Sequence, residues 1–132
     1  MAEQKQDIYA LVKEYFFYKW TGLLKDKNLG ELENMYEFAV LFATFSNEFR
    51  RGGKEAVGYF EEFVKKNPTC KILDDVIFVS DDSTLISWAG FYEFEVDDGD
   101  KRTIQHAGFT FIFKYNAITE KITLLHHHSS PR

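Results

Sequence analysis

The first part of the chain carries apolar residues at the spacing of amphipathic helices. Between Ile8 and Leu24 they recur every three or four positions, which predicts a long helix. The polar stretch KDKNLG ends this pattern, and Asn28 is of a type that caps helices, so a short second helix is predicted over roughly residues 29–36. The stretch KEAVGYFEEFVKKNP predicts a third helix that ends before Pro68.

The rest of the chain has the pattern of strands. EFAVLFATFS is apolar and rich in strand formers, which predicts a strand near residues 37–44. Further strands are predicted at residues 71–80, 83–96, 102–116 and 120–130, with a hairpin at Asp98-Gly99. Helices followed by a meander predict one α+β domain over residues 1–132. We expect a curved antiparallel sheet wrapped around the N-terminal helices, forming a cone with a pocket at its mouth.

Strand alternation predicts which side chains of the last two strands face the helices. Three phenylalanines of one parity belong on the covered face. If the final hairpin keeps this parity, the HHH run divides between the two faces of the sheet. The residues expected on the inner face are Phe109, Phe111, Phe113, Leu125, His127 and Ser129. Those expected together on the outer face are His106, His126, His128 and Ser130.

Composition and charge narrow the classes of function. Of 132 residues, 45% are hydrophobic, which is enough for a packed core, and no apolar run approaches the roughly 20 residues of a membrane span. The net charge of -5 argues against nucleic acid as a partner. Cys70 is the only cysteine and no signal-peptide pattern opens the chain. We therefore expect a soluble protein of a reducing compartment, the cytoplasm or, for a processed domain, the plastid stroma.

The histidine run admits three interpretations. His106, His126 and His128 on the outer face would suit a zinc site. The same histidines could instead be structural or interface residues of a half-covered sheet face. His127, on the pocket side, is a core residue unless other polar groups converge on it. Thr44 and Tyr59 are expected over the same mouth as His127 and Ser129, although strand propensity and packing would also explain them.

Two segments carry a resemblance to a known family. ATFSNEFRRGGKEAVGYFEEFVKKNPTCKI and the closing HHHSS resemble the metal-independent iota-class carbonic anhydrases. These belong to the calcium/calmodulin-dependent kinase II association-domain branch of the nuclear-transport-factor-2-like (NTF2-like) fold group. The matching positions are Thr44, Ser46-Asn47, Arg50 or Arg51, Tyr59-Phe60-Phe63, Pro68 and His127-His128-Ser129-Ser130.

The resemblance implies interconversion of CO2 and bicarbonate with no metal and no cofactor. It places Thr44, Tyr59, Phe111 and Ser129 at the substrate, with hydroxyls that stabilise developing charge. We interpret His127 as the general base, because histidine is the natural proton acceptor near pH 7.

Two other functions stay open. A non-catalytic association domain, dimeric or oligomeric, would bind a small ligand in the same pocket. Kinase association domains of this fold carry arginines in that pocket, whereas this sequence has Phe111 and Ser129 at the corresponding places, so we expect a neutral pocket without arginines. A cyclase or isomerase would need a buried acid, and Asp74, Asp75 and Glu37 do not clearly face inward.

A homodimer is predicted on the outer sheet face, since apolar side chains there would otherwise be exposed. The residues expected to form it are Leu85, Ala89, Phe91, Ile112 and Leu124.

Overall fold

Helices cover one face of a six-stranded sheet in this computed structural model, which describes residues 8–43 and 48–132. The N-terminal helix is already formed at Ile8 and contains a π-helical segment, Leu11–Phe16, that continues into α1, Phe17–Asp26. Helix α2 is Leu29–Met35, and α3 is Gly52–Phe63, extended by a 3₁₀ turn at Val64–Lys66. No helix in the described ranges combines the length and apolar character needed to cross a membrane.

The helix boundaries follow the local signals in the sequence. Asn28 caps α2, because its side-chain oxygen accepts a hydrogen bond of 3.2 Å from the Glu31 N–H. Lys27, with a φ of 56°, ends α1 in the left-handed region. All three predicted helices are confirmed, and Tyr36 is placed at the end of α2 rather than inside it.

The sheet is mixed rather than wholly antiparallel. Its strand order is β2-β1-β6-β5-β4-β3, and β1 runs parallel to β6 while the other neighbours are antiparallel. The chain enters β1 from the helices, and the meander brings β6 back beside it in the same direction. The strands are β1 Val40–Phe42, β2 Arg50–Arg51, β3 Thr69–Val79, β4 Leu85–Asp98, β5 Lys101–Asn116 and β6 Lys121–Pro131.

The predicted α+β architecture is confirmed, with a curved sheet against N-terminal helices. Strand β1 is shorter than the predicted residues 37–44, because its first residues belong to the turn after α2. Strand β2 was not expected, since two adjacent arginines offer no apolar alternation.

A β-bulge in β6 changes which residues of that strand face the core. The pairs Phe111↔His127 and Ile112↔His126 are followed by Phe113↔Leu124, so one residue of β6 is left over. Leu124 therefore faces the core and is 4% exposed, and its expected place on the outer face was wrong. Leu125, expected on the inner face, is the residue at the shift. His127 and Ser129 lie beyond the bulge and are buried on the inner face, as predicted.

Candidate functional site

A pocket of about 480 Å³ opens between α3 and the inner face of the sheet. Strands β4 and β6 supply its floor, and α3 supplies one wall because its aromatic residues recur at helical spacing. The deep part of the lining comprises Trp20, Leu41, Ala43, Phe60, Tyr92, Phe94, His127 and Ser129. The wall and rim comprise Arg50, Gly58, Tyr59, Glu62, Phe63, Lys66, Gln105, His106, Ala107, Pro131 and Arg132.

His127 lies at the floor of the pocket and is 3% exposed. Its ring stacks on Phe111, with centroids 4.0 Å apart. The Tyr36 hydroxyl lies 2.8 Å from Nδ1, and the Tyr92 hydroxyl lies 3.3 Å from Nε2. Burial, helped by the neighbouring histidines His126 and His128, lowers the pKa of His127 to about 3. The imidazole is therefore neutral at pH 7, with both nitrogens engaged by tyrosines.

The hydroxyl groups around His127 also stay neutral. Burial raises the pKa of Tyr36 and of Tyr92 well above the usual value, and it raises the pKa of Tyr59 to about 12. The hydroxyls of Tyr92 and Ser129 are hydrogen-bonded to each other, and because Ser129 can donate to the ionised Tyr92 oxygen, this contact partly offsets the rise of the Tyr92 pKa. The floor is thus a set of uncharged groups that can each donate or accept a hydrogen bond.

Arg50 brings a positive charge to the wall of the pocket beside this uncharged floor. One terminal guanidinium nitrogen, Nη1, donates to the Glu55 carbonyl at 3.1 Å. The guanidinium Nε is buried and has no hydrogen-bond partner within the described ranges. Arg51 differs, because its guanidinium lies over the Phe49 ring at 4.6 Å and does not line the pocket. The expectation that the pocket lacks arginines is therefore wrong, and Arg132 also lines it.

The structure brings three of the predicted site residues, Tyr59, His127 and Ser129, to this one pocket. Phe111 lies beneath the His127 ring and does not line the pocket. Thr44 lies outside the described residues.

Three further residues, Tyr36, Tyr92 and Arg50, had not been assigned to the site. Tyr92 could have been found, because it shares the parity of the inner-face residues Trp88 and Phe94 on β4. Tyr36 reaches His127 across 91 positions of sequence, and no local pattern indicates that contact.

The outer-face histidines form a separate cluster. The His126 and His128 rings lie 6.5 Å apart and pack against Phe42 at 5.5 and 5.8 Å. His106 was expected beside them, but it bonds instead to the Glu93 carboxylate at 2.9 Å, further along β5. Within the ranges described here, no three His, Cys, Asp or Glu side chains converge as metal ligands.

The acidic residues weighed for a cyclase or isomerase do not line this pocket. Asp75 is ion-paired with Lys13 at 3.0 Å and accepts the Trp88 indole N–H at 2.8 Å. Glu62 is the carboxylate at the rim, and its side chain is 76% exposed. A buried acid of the kind that such chemistry needs is not found among the described lining residues.

Comparison with known proteins gives the fold. No protein-family model matches the sequence, and no curated protein is significantly similar to it. A solved structure from Xanthomonas campestris, named as a candidate calcium/calmodulin dependent protein kinase II association domain, superposes with a TM-score of 0.81. It is 29% identical, over 95% of this chain and 85% of that chain. A candidate scytalone dehydratase from Novosphingobium aromaticivorans has a TM-score of 0.82 at 11% identity, over 100% and 89% of the two chains.

A candidate dehydratase of the NTF2-like family from Streptomyces avermitilis also superposes, with a TM-score of 0.77. It is 10% identical over 97% of each chain. This chain has the NTF2-like fold. The two dehydratase-named structures share only the fold with it at that identity. NTF2-like neighbours thus include proteins named for catalysis and one named for association.

Proposed function

We propose that the pocket between α3 and the sheet binds bicarbonate and that the protein interconverts bicarbonate and CO2 without a metal ion. The observation that carries this proposal is the Arg50 guanidinium, which lines the pocket with its Nε buried and unpaired as far as the structure is described. A buried donor without an acceptor is unfavourable, so an anion that accepts from it would stabilise the site. Tyr59 and Ser129 line the same pocket and can donate to the same anion.

The proposed hydration joins the oxygen of water to the carbon of CO2 and releases one proton. The Phe60 and Phe63 walls suit apolar CO2, while Arg50, Tyr59 and Ser129 donate to the oxygens that gain charge. We expect Thr44 to add a further hydroxyl. Among the described residues, no carboxylate lies at the pocket floor, so we assign the proton to His127, reached through Ser129 and the Tyr92 hydroxyl.

The low pKa of His127 sets two expectations for this reaction. An imidazole with a pKa of about 3 is a weak base, so hydration should be slower than at a zinc-bound hydroxide. The same imidazole stays unprotonated at mildly acidic pH. The rate constant for hydration should therefore not fall as pH drops through 6.5, the value at which an ordinary histidine base becomes protonated.

A CO2-hydration assay on chelator-treated protein tests the proposal, with Arg50→Gln and Arg51→Gln as a matched pair. We expect activity to survive the chelator, Arg50→Gln to lower it by about a hundredfold, and Arg51→Gln to retain it. Loss of activity with the chelator, restored by zinc, would overturn the metal-independent mechanism. Equal activity of the two variants would show that the Arg50 pocket is not the site.

A second candidate function is non-catalytic binding of a carboxylate-bearing ligand. Two observations favour it: the pocket is far larger than bicarbonate, and the 29%-identical neighbour is named as an association domain. Binding of acetate to the wild type that is lost in Arg50→Gln, without CO2 hydration by either protein, would select this function over the enzyme.

We also propose that two chains associate through the outer sheet face. Val76 is 63% exposed, Phe78 is 72% exposed and Leu85 is 47% exposed, and all three lie on the face turned away from the helices. An apolar face of this kind is typical of an interface. The name of the 29%-identical neighbour supports self-association.

A further inference from the structure

Four polar side chains form a chain of hydrogen bonds from the core to the pocket. Tyr36, at the end of α2, contacts His127 Nδ1 at 2.8 Å. His127 Nε2 contacts the Tyr92 hydroxyl at 3.3 Å, and Tyr92 bonds to Ser129. Tyr36 is fully buried and does not line the pocket, so it can affect a ligand only through this chain.

Tyr36, at the buried end of this series of hydrogen bonds, determines which group donates to which. A neutral imidazole donates from one nitrogen and accepts at the other. If Nδ1 carried the hydrogen, it would donate to Tyr36, whose own hydroxyl hydrogen would then have no acceptor among the residues described. A buried donor left unpaired costs about 1–3 kcal/mol.

The position of Trp20 also indicates that the Tyr36 hydroxyl donates its hydrogen to His127. Its indole N–H lies near enough to the Tyr36 oxygen to lower the Tyr36 pKa, although the contact is not a well-formed hydrogen bond. An indole can only donate, so it cannot receive the Tyr36 hydrogen. The remaining acceptor for that hydrogen in the described core is His127 Nδ1.

We propose that Tyr36 is a positioning residue that holds His127 as the Nε2–H tautomer and thereby directs the Tyr92 hydroxyl hydrogen toward Ser129 and the pocket. The floor then presents donors, which suits the ionised oxygen of an anion better than a neutral ligand. This inference rests on the proposed function for the identity of the ligand. The direction in which the four side chains donate their hydrogen bonds does not depend on that function. To accept a proton at Nε2, His127 must first move its own hydrogen to Nδ1, which Tyr36 opposes.

The tautomer is measured on the unliganded protein by NMR of ¹⁵N-labelled histidine, assigned with His126→Gln and His128→Gln. We expect the Nε2–H form of His127 in the wild type, with the unprotonated Nδ1 showing the ¹⁵N shift of a hydrogen-bond acceptor. Tyr36→Phe should remove this acceptor shift, because it removes the hydroxyl that donates to Nδ1. Tyr115→Phe, a change at a buried tyrosine outside the chain, is the control and should leave the tautomer unchanged. An Nδ1–H wild type, or an acceptor shift at Nδ1 that is unchanged in Tyr36→Phe, would overturn the inference. The wild-type measurement decides the matter even if Tyr36→Phe does not fold.

Titration with bicarbonate and with acetate measures the effect on the pocket. We expect Tyr36→Phe and Tyr92→Phe each to weaken anion affinity by roughly threefold to tenfold, the loss of about one hydrogen bond. When the hydration assay is run in the reverse direction, Tyr36→Phe should raise the KM for bicarbonate more than it lowers kcat, since Tyr36 acts on the bound anion through the hydrogen bonds of His127 and Tyr92. Anion affinity equal to that of the wild type in both variants would overturn the inference. A wild type that binds neither anion would instead refute the proposed function and leave the tautomer result standing.

Discussion

The two faces of β6 show how one run of identical residues acquires two environments. His127, on the inner face, is buried, stacked on Phe111 and held by two tyrosines. His126 and His128, on the outer face, pack around Phe42 and have no comparable network with the residues that the structure describes. Partial burial, with the neighbouring His128, lowers the pKa of His126 too, although His126 is far less enclosed than His127. The pleat of the strand, and not residue type, decides what each histidine can do.

The sharpest test of this comparison is His127→Ala against His126→Ala. His127→Ala removes the proposed proton acceptor, so the hydration rate should fall by roughly 10²–10⁴-fold. It also leaves a cavity and two unpaired tyrosine hydroxyls, so the free energy of unfolding should fall by about 3 kcal/mol. CO2-hydration assays and urea unfolding measure both effects. The comparison is wrong if His126→Ala lowers the hydration rate and the free energy of unfolding more than His127→Ala does.

Acid should destabilise the protein through His127. The folded imidazole binds a proton only near pH 3, whereas the unfolded one binds it near 6.5. Between these values the unfolded state holds more protons, so the free energy of unfolding falls as pH decreases, by up to roughly 1.4 kcal/mol per pH unit. Urea unfolding over this range should show a steeper pH dependence for the wild type than for His127→Gln. Parallel profiles would mean that His127 titrates normally.

Removing a hydroxyl of the proposed site should lower the rate of CO2 hydration and change the stability of the protein little. Tyr59→Phe, Ser129→Ala and Thr44→Ala are each expected to lower CO2 hydration by roughly 10²-fold, because each removes a donor to developing charge. The melting temperature should change by only a few degrees. Tyr115→Phe, on the inner face outside the pocket, serves as the control. Full activity in all three variants would exclude the pocket as the active site.

The outer face should govern association instead. We expect a homodimer by light scattering, and Val76→Asp should weaken dimerisation by tenfold or more, since it places an unpaired carboxylate in the interface. Ile118→Asp, in the turn before β6 and 94% exposed, should leave the mass unchanged. One chain's mass for the wild type across micromolar concentrations would refute the dimer.

The smallest effects are expected for the outer histidines. His126→Ala and His128→Ala should change stability or dimerisation by about 1 kcal/mol or less and leave hydration intact. Elemental analysis alongside the assay tests the zinc alternative. If either variant lost both bound zinc and activity, the proposed mechanism at His127 would be wrong.

Local signals were sufficient for most elements of the fold. Helical spacing and the Asn28 cap predicted the helices, and the Asp98-Gly99 turn predicted the central hairpin. The parity of the phenylalanines of β5 assigned His127 and Ser129 to the inner face. These features depend on residues close in sequence, where backbone geometry and side-chain alternation act directly.

Only the tertiary structure decided the bulge at Leu125, the parallel pairing of β1 with β6, and the chemistry around His127. The bulge cannot be seen in the alternation, because two adjacent leucines satisfy either parity. Tyr36 and Arg50 reach the site from distant elements. Their effects on burial, charge and hydrogen bonding arise only once α2, β2 and β6 pack together. Sequence alone therefore determined which residues face the pocket on one strand, and packing determined what those residues can do.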